Sequence, residues 1–150
     1  MATSIDIAMK LEKDSEGCRL RAYPDPATGR EPWTIGYGAT GPNIGPNTKW
    51  TQQQAEEDLR LRNLALLARI SPKIPNATIK QLAACLDFSY NCGLPAMLGS
   101  TWFRSLRRGN YKIAATQILA WNKAAGRVMV GLTNRRKKEA KLILGEYPWR

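Results

Sequence analysis

The sequence predicts a mainly helical α+β fold with one small antiparallel sheet near its N-terminus. Three observations carry that prediction. Apolar residues recur at helical spacing over residues 4–17 and again from residue 51 onward. Between them, from Cys18 to about Gly45, the chain alternates at the strand period and is rich in Gly and Pro. A length of 150 residues at 43% hydrophobic composition is one domain's worth of chain, with enough apolar surface for a core.

Ser4 reads as the N-cap of the first helix, in which Ile5, Ala8 and Met9 recur at i, i+3 and i+4 and Ile7 and Leu11 add a second i, i+4 pair. Glu12 interrupts that stripe, and Glu16-Gly17 closes the helix. The negative end of the helix macrodipole suits a carboxyl at Glu16 to donating a proton.

Cys18 to Tyr23 and Trp33 to Gly38 then read as two strands that fold back on one another, with Asp25 between them in Pro24-Asp25-Pro26, nine residues after Glu16. The fold-back can bring Glu16 and Asp25 face to face. Hydrolysis of a glycosidic bond needs such a pair: one carboxyl delivers a proton to the leaving oxygen, and the other, ionised, steers water or stabilises positive charge. Taken singly, each residue has an ordinary explanation. Glu16 could be a solvated helix end, Asp25 a turn residue and Thr34 a β-branched strand former. Gly36-Tyr37-Gly38-Ala39-Thr40-Gly41 matches a dinucleotide-binding pattern, but Pro42-Asn43-Ile44-Gly45-Pro46 follows where that motif needs a helix, so the match is rejected.

Thr51 with Gln54 forms a capping box for a long helix, with Ala55, Leu59, Leu66 and Ile70 on one face and Ser71-Pro72 as its stop. Asn76-Ala77-Thr78 reads as a helix start; Leu82, Ala83, Leu86 and Tyr90 give that helix an apolar face ending near Cys92-Gly93-Leu94-Pro95. Two short helices follow over residues 101–122, broken at Arg108-Gly109-Asn110, with Trp102, Phe103, Leu106, Ile113, Ala114, Ile118, Leu119 and Trp121 expected in the core. The run Asn134-Arg135-Arg136-Lys137-Lys138 opens a final basic helix, most of it read as solvated surface.

Formal net charge is +11, and residues 71–150 hold fourteen Lys/Arg against three Asp/Glu. Such a field attracts polyanions, whether nucleic acid, anionic lipid or bacterial envelope. With no His and three Cys (Cys18, Cys85, Cys92) at no metal-like spacing, the usual zinc sites and Ser-His or Cys-His pairs are excluded. Reduced, buried thiols are expected. No run approaches the roughly 18 apolar residues of a membrane span, and Met1 to Asp6 lacks the basic and apolar regions of a secretory signal, so a soluble chain without such a signal is expected.

Glu16-Gly17, Asp25 and the strand Thr34-Ile35-Gly36-x-Gly38 together resemble the phage-type lysozymes of glycoside hydrolase family 24, as do the Ala84–Gly93 helix and Gly126-x-x-x-x-Gly131-Leu132-x-x-Arg135-Arg136. The hairpin tip is slightly longer than in some relatives, and Ala39 stands where some have His. The resemblance implies a lysozyme-like fold with a cleft between two lobes: a sheet-bearing lobe over about 15–50, a linking helix over about 51–70, and a helical lobe over about 71–150 with the N-terminal helix. It implies cleavage of the β-1,4 bond between N-acetylmuramic acid and N-acetylglucosamine, with Glu16 as general acid, Asp25 and Thr34 holding water, and Arg135 near the catalytic Glu as a supporting residue. No metal or cofactor is called for. Expected partners are peptidoglycan and anionic envelope polymers, with no nucleic acid, for a monomer held in the host cytoplasm until it reaches the wall or periplasm through a holin-type pore. Two rivals stay open: a lytic transglycosylase, which needs no water-holding Asp, and a basic binding module without activity, which the charge supports but no base-reading motif accompanies.

Overall fold

A computed structural model describes residues 1–149, and the chain forms two compact units. One is Glu12–Arg62; the other combines Met1–Leu11 with the described residues from Asn63 onward. Helices α1 (Ser4–Ser15) and α2 (Gln52–Ile70) each contribute residues to both.

The cap of α1 is Thr3, one residue before the expected Ser4. Thr3 Oγ1 accepts the Asp6 N–H at 3.1 Å, and Asp6 Oδ2 accepts the Thr3 N–H at 3.0 Å. The reason is the partner three residues on: Asp6 can complete a reciprocal capping box from Thr3, whereas Ser4 would face Ile7. Ser4 is instead buried with Ile5, Ile7, Ala8, Met9 and Leu11. The helix ends at Ser15, although the Glu16 N–H still bonds the Glu12 carbonyl at 2.7 Å.

Strands β1 (Arg19–Tyr23) and β2 (Thr34–Gly36) pair antiparallel with Arg19 opposite Gly36 and Tyr23 opposite Thr34, an unequal spacing that requires a bulge in β1. Residues 48–50 lie along β1, the Ala22 N–H bonding Thr48 O and the Trp50 N–H bonding Leu20 O. Gly36 has φ +64°, and a Cβ there would stand 2.8 Å from Trp50 Cζ3, so the glycine allows both the turn and the close approach of the ring. No helix follows Gly41 before Gln52, in agreement with rejection of the dinucleotide pattern. The predicted Thr51–Gln54 capping box is present at 2.8 and 3.1 Å. Gln52 then joins three segments, donating to Tyr37 Oη at 2.9 Å and accepting from Cys18 Sγ at 3.6 Å.

The second unit is built on α3 (Ile79–Cys92), whose N-cap Thr78 forms a capping box with Gln81. Burial on α3 extends beyond the expected apolar face: every residue from Ala83 to Ser89 is buried. Around it stand α4 (Leu94–Leu98), α5 (Thr101–Arg107), α6 (Tyr111–Gln117) and α7 (Val130–Ile143). Phe88 meets Trp102 and Trp121 edge-on, with ring centroids 4.9 and 5.2 Å apart.

Several expectations need correction here. Ile113, Leu119 and Trp121 are 53%, 37% and 38% exposed; α6 ends at Gln117, so Leu119 and Trp121 lie beyond it and do not share a helix face with Ile113. A second antiparallel ribbon, β3 (Lys123–Ala124) with β4 (Arg127–Val128), was not expected; it turns through Ala125 and Gly126, both at positive φ. Helix α7 begins at Val130 rather than Asn134. Its basic run is not all surface, since Arg135 and Arg136 are buried. The three cysteines are free, yet only Cys85 is fully buried.

Candidate active site

Glu16, Asp25 and Thr34 all belong to the Glu12–Arg62 unit. Glu16 follows the last residue of α1, half-buried, three residues before β1. Asp25 lies two residues beyond the other end of β1, and the pairing of Tyr23 with Thr34 puts Thr34 at that same end. Asp25 and Thr34 are thus neighbours in the hairpin. Glu16 stands across the length of β1 from them, roughly 13 Å of strand before side chains reach inward.

Asp25 does open a turn, as its flanking prolines suggested. Its carbonyl accepts the Gly29 N–H at 2.8 Å, its N–H bonds Arg30 O at 2.9 Å, and its Oδ2 accepts the Thr28 hydroxyl at 3.2 Å. These bonds fix the backbone and one carboxylate oxygen. The other oxygen, Oδ1, has no protein partner among the described residues, and neither does the half-buried Thr34 hydroxyl. A carboxylate oxygen that accepts and a hydroxyl that can donate and accept are the two groups that orient a water molecule. A cavity of about 610 Å³ adjoins the turn, lined by Thr28, Gly29, Arg30, Glu31, Trp33 and Pro46.

Arg135 belongs to the other unit, where its guanidinium makes a two-pronged contact with Asp87: Nε to Oδ2 at 3.0 Å and Nη2 to Oδ1 at 2.9 Å, both side chains buried. Such a fork fixes the guanidinium plane as well as its charge. Arg136 lies beside it, fully buried, with Nη2 donating to Asn91 Oδ1 and Nη1 to Cys92 Sγ, each at 2.8 Å, and with its guanidinium 4.7 Å from the Phe88 ring centre. Its Nε stands 2.7 Å from Glu139 Oε1, off the line of a good hydrogen bond. Burial, then Asp87, pushes the Glu139 carboxyl well above the ordinary carboxylate range, against the pull of Arg136 and Arg135. Asp87 is not among the residues singled out from the sequence, and neither is its cluster with Arg135. A lone acid inside an otherwise buried helix was the available signal, because a buried charge needs a partner.

Among the described residues no three His, Cys, Asp or Glu side chains are disposed to hold a metal ion.

Known proteins show the same arrangement of chain. A model of the phage lysozyme family matches residues 13–139. The endolysin of Bacillus phage PZA is 36% identical over 136 residues, covering 90% of this chain and 52% of that protein, so the chain spans about half the length of this relative. The endolysin of Acyrthosiphon pisum secondary endosymbiont phage 1 is 36% identical over 139 residues, covering 89% of this chain and 92% of its own. Among solved structures, an endolysin from Escherichia coli O157:H7 phage FAHEc1 matches with a TM-score of 0.78 at 32% identity, covering 95% of this chain and 94% of its own. The muramidase domain of SpmX from Asticaccaulis excentricus matches with a TM-score of 0.78 at 29% identity, covering 91% and 94%.

Proposed function

The chain belongs to the phage lysozyme family, and from that premise we propose that it hydrolyses the β-1,4 bond between N-acetylmuramic acid and N-acetylglucosamine in bacterial peptidoglycan, opening the host cell wall. Glu16 is the general acid that protonates the leaving oxygen. Asp25 and Thr34 hold the attacking water. The observation that carries this reading is the pair of groups at one end of the hairpin, Asp25 Oδ1 and the Thr34 hydroxyl, both without protein partners among the described residues. Water delivered to the sugar face opposite the acid inverts the anomeric centre, an outcome that requires the two carboxyl groups to stand about 6.5–9.5 Å apart when substrate is bound.

A lytic transglycosylase closes the sugar on itself and has no use for an oriented water, so the same pair of groups argues against it. Arg135 is a supporting residue, its plane held by Asp87. The surplus of positive charge in residues 71–150 draws the protein, as a monomer, to anionic envelope polymers. It waits in the host cytoplasm and reaches the wall or periplasm through a holin-type pore.

Analysis of the products from purified peptidoglycan tests the reaction. Hydrolysis yields a new reducing end, a transglycosylase yields an anhydro sugar, and a binding module yields neither. Glu16→Gln keeps the side chain's shape but cannot donate the proton; it is expected to lose about 10²–10⁴-fold in activity at an unchanged melting temperature. A folded Glu16→Gln protein of near-normal activity would overturn the assignment.

A further inference from the structure

Residues 71–150 contain only three acidic side chains, and two of them, Asp87 and Glu139, are buried against Arg135 and Arg136. The surface of this unit is therefore cationic with little to offset it, and one part of that surface is concave. A cavity of about 290 Å³ opens where the end of α5 meets the loop before α3, with Lys73, Asn76, Ala77, Arg107, Arg108 and Tyr111 among its lining residues and no acid among them. Lys73, Arg107 and Arg108 have no ion-pair partner among the described residues.

The walls of the cavity are fixed by backbone hydrogen bonds. On one side the Ile74 N–H bonds Ser71 O and the Ala77 N–H bonds Ile74 O; on the other the Gly109 N–H bonds Leu106 O and the Asn110 N–H bonds Ser105 O. Two arginines at the C-terminus of a helix have an ordinary explanation, since cations there complement the macrodipole. That explanation does not extend to Lys73, which reaches the cavity from a different segment and adds a third like charge. Three cations around one concavity repel each other unless an anion lies between them. Guanidinium groups match the tetrahedral oxygens of phosphate, and the Tyr111 hydroxyl and Asn76 amide add neutral donors.

We propose that this cavity is a binding site for a phosphate ester of the bacterial envelope, separate from the residues that cleave the glycan. The same chemistry is offered by a glycerol-phosphate polymer and by the headgroup of an anionic lipid.

The full chain, labelled with ¹⁵N, is titrated with inorganic phosphate and with glycerol phosphate. Amide shifts are expected to concentrate at Asn76, Ala77, Arg108 and Gly109. Arg107→Ala/Arg108→Ala should weaken binding about tenfold, while Lys123→Ala/Lys141→Ala, the same loss of net charge on exposed residues that do not line the cavity, should leave it unchanged. Melting curves confirm that both variants are folded. The same variants are then compared for binding to poly(glycerol phosphate) and to phosphatidylglycerol vesicles. Selective loss of polymer binding in the cavity variant assigns the site to the polymer, and selective loss of vesicle binding assigns it to the headgroup. Equal loss in both variants, or shifts spread over the whole basic surface, would overturn the proposal in favour of general attraction. Cleavage of soluble, phosphate-free glycan fragments should be unaffected by the cavity variant, so failure here is distinguishable from failure of the proposed activity.

Discussion

Two ion pairs of the same length show how differently the two units of this chain use charge. Lys13 Nζ meets Glu56 Oε1 at 2.7 Å in the Glu12–Arg62 unit, with side chains 36% and 41% exposed. Arg136 Nε meets Glu139 Oε1 at 2.7 Å in the helical unit, with both side chains fully buried. Water screens the first pair, and the second sits in a cluster with Asp87, Arg135, Asn91 and Cys92. The contrast extends to the proposed site. Its carboxylates, Glu16 and Asp25, are half-buried at strand and helix ends, where a substrate can reach them. In the helical unit Asp87 and Glu139 are enclosed, packed against Arg135 and Arg136. Distance alone does not tell a working carboxylate from a structural one; burial and partners do.

The sharpest way to break this comparison exchanges a carboxylate for its amide in each unit. Glu16→Gln should lose about 10²–10⁴-fold in activity and leave stability alone. Asp87→Asn should do the reverse to stability, because it leaves the Arg135 guanidinium buried without its counter-charge. Loss of one partner of a buried pair costs about 3–5 kcal/mol, to be read as a fall in the denaturant midpoint at unchanged slope. Asp87→Asn with wild-type stability would show the cluster to be incidental.

Much of the architecture was legible from residue patterns because the signals were local. The Thr51–Gln54 box, the Thr78 helix start and the break at Arg108-Gly109-Asn110 each depend on residues within one or two turns. The error at Ser4 was local as well, and attention to Asp6 would have corrected it. The misplaced core residues Ile113, Leu119 and Trp121 failed for another reason: periodicity identifies an apolar face without saying whether a neighbour covers it. The same limit hid Arg136, whose neighbours Asn91 and Cys92 are more than forty positions away in sequence. In the proposed site, Asp25 and Thr34 could be nominated from spacing, but the Thr28 hydroxyl bond that orients Asp25 depends on the particular turn.

A backbone substitution tests the sheet-bearing unit next. Gly36→Ala must adopt φ +64° and place a methyl 2.8 Å from the Trp50 ring. The left-handed backbone costs about 1–2 kcal/mol, and displacing the ring adds about 1–3 kcal/mol. A lower melting temperature with activity reduced in proportion to the unfolded fraction is expected; an unchanged melting temperature would mean that the ring has room to move. Thr34→Val comes after it in size. The substitution keeps β-branching and nearly the same volume while removing the hydroxyl, so stability should hold while kcat falls about ten- to hundredfold. Full activity in that variant would return Thr34 to the role of strand former.

The smallest effect belongs to the exposed pair. The hydrogen bond from Lys13, followed by its charge, lowers the Glu56 carboxyl below its ordinary range. A depressed folded-state value means that the stabilisation is present above the unfolded value, about 4.3, and is lost as pH falls through the folded one. Both side chains are more than a third exposed, so screening and side-chain entropy reduce the worth of the pair to about 0.5 kcal/mol or less. A double-mutant cycle with Lys13→Met and Glu56→Gln should therefore give a small coupling at pH 7 and low salt. It should shrink as pH falls below the unfolded value and Glu56 takes up its proton, and also at 1 M salt, where the screening length shrinks to about 3 Å. The pair formed by Arg135 and Asp87, shielded from solvent, should keep most of its coupling at high salt. A Lys13–Glu56 coupling well above 1 kcal/mol that resists salt would place the exposed pair with the buried ones and erase the contrast between the two units.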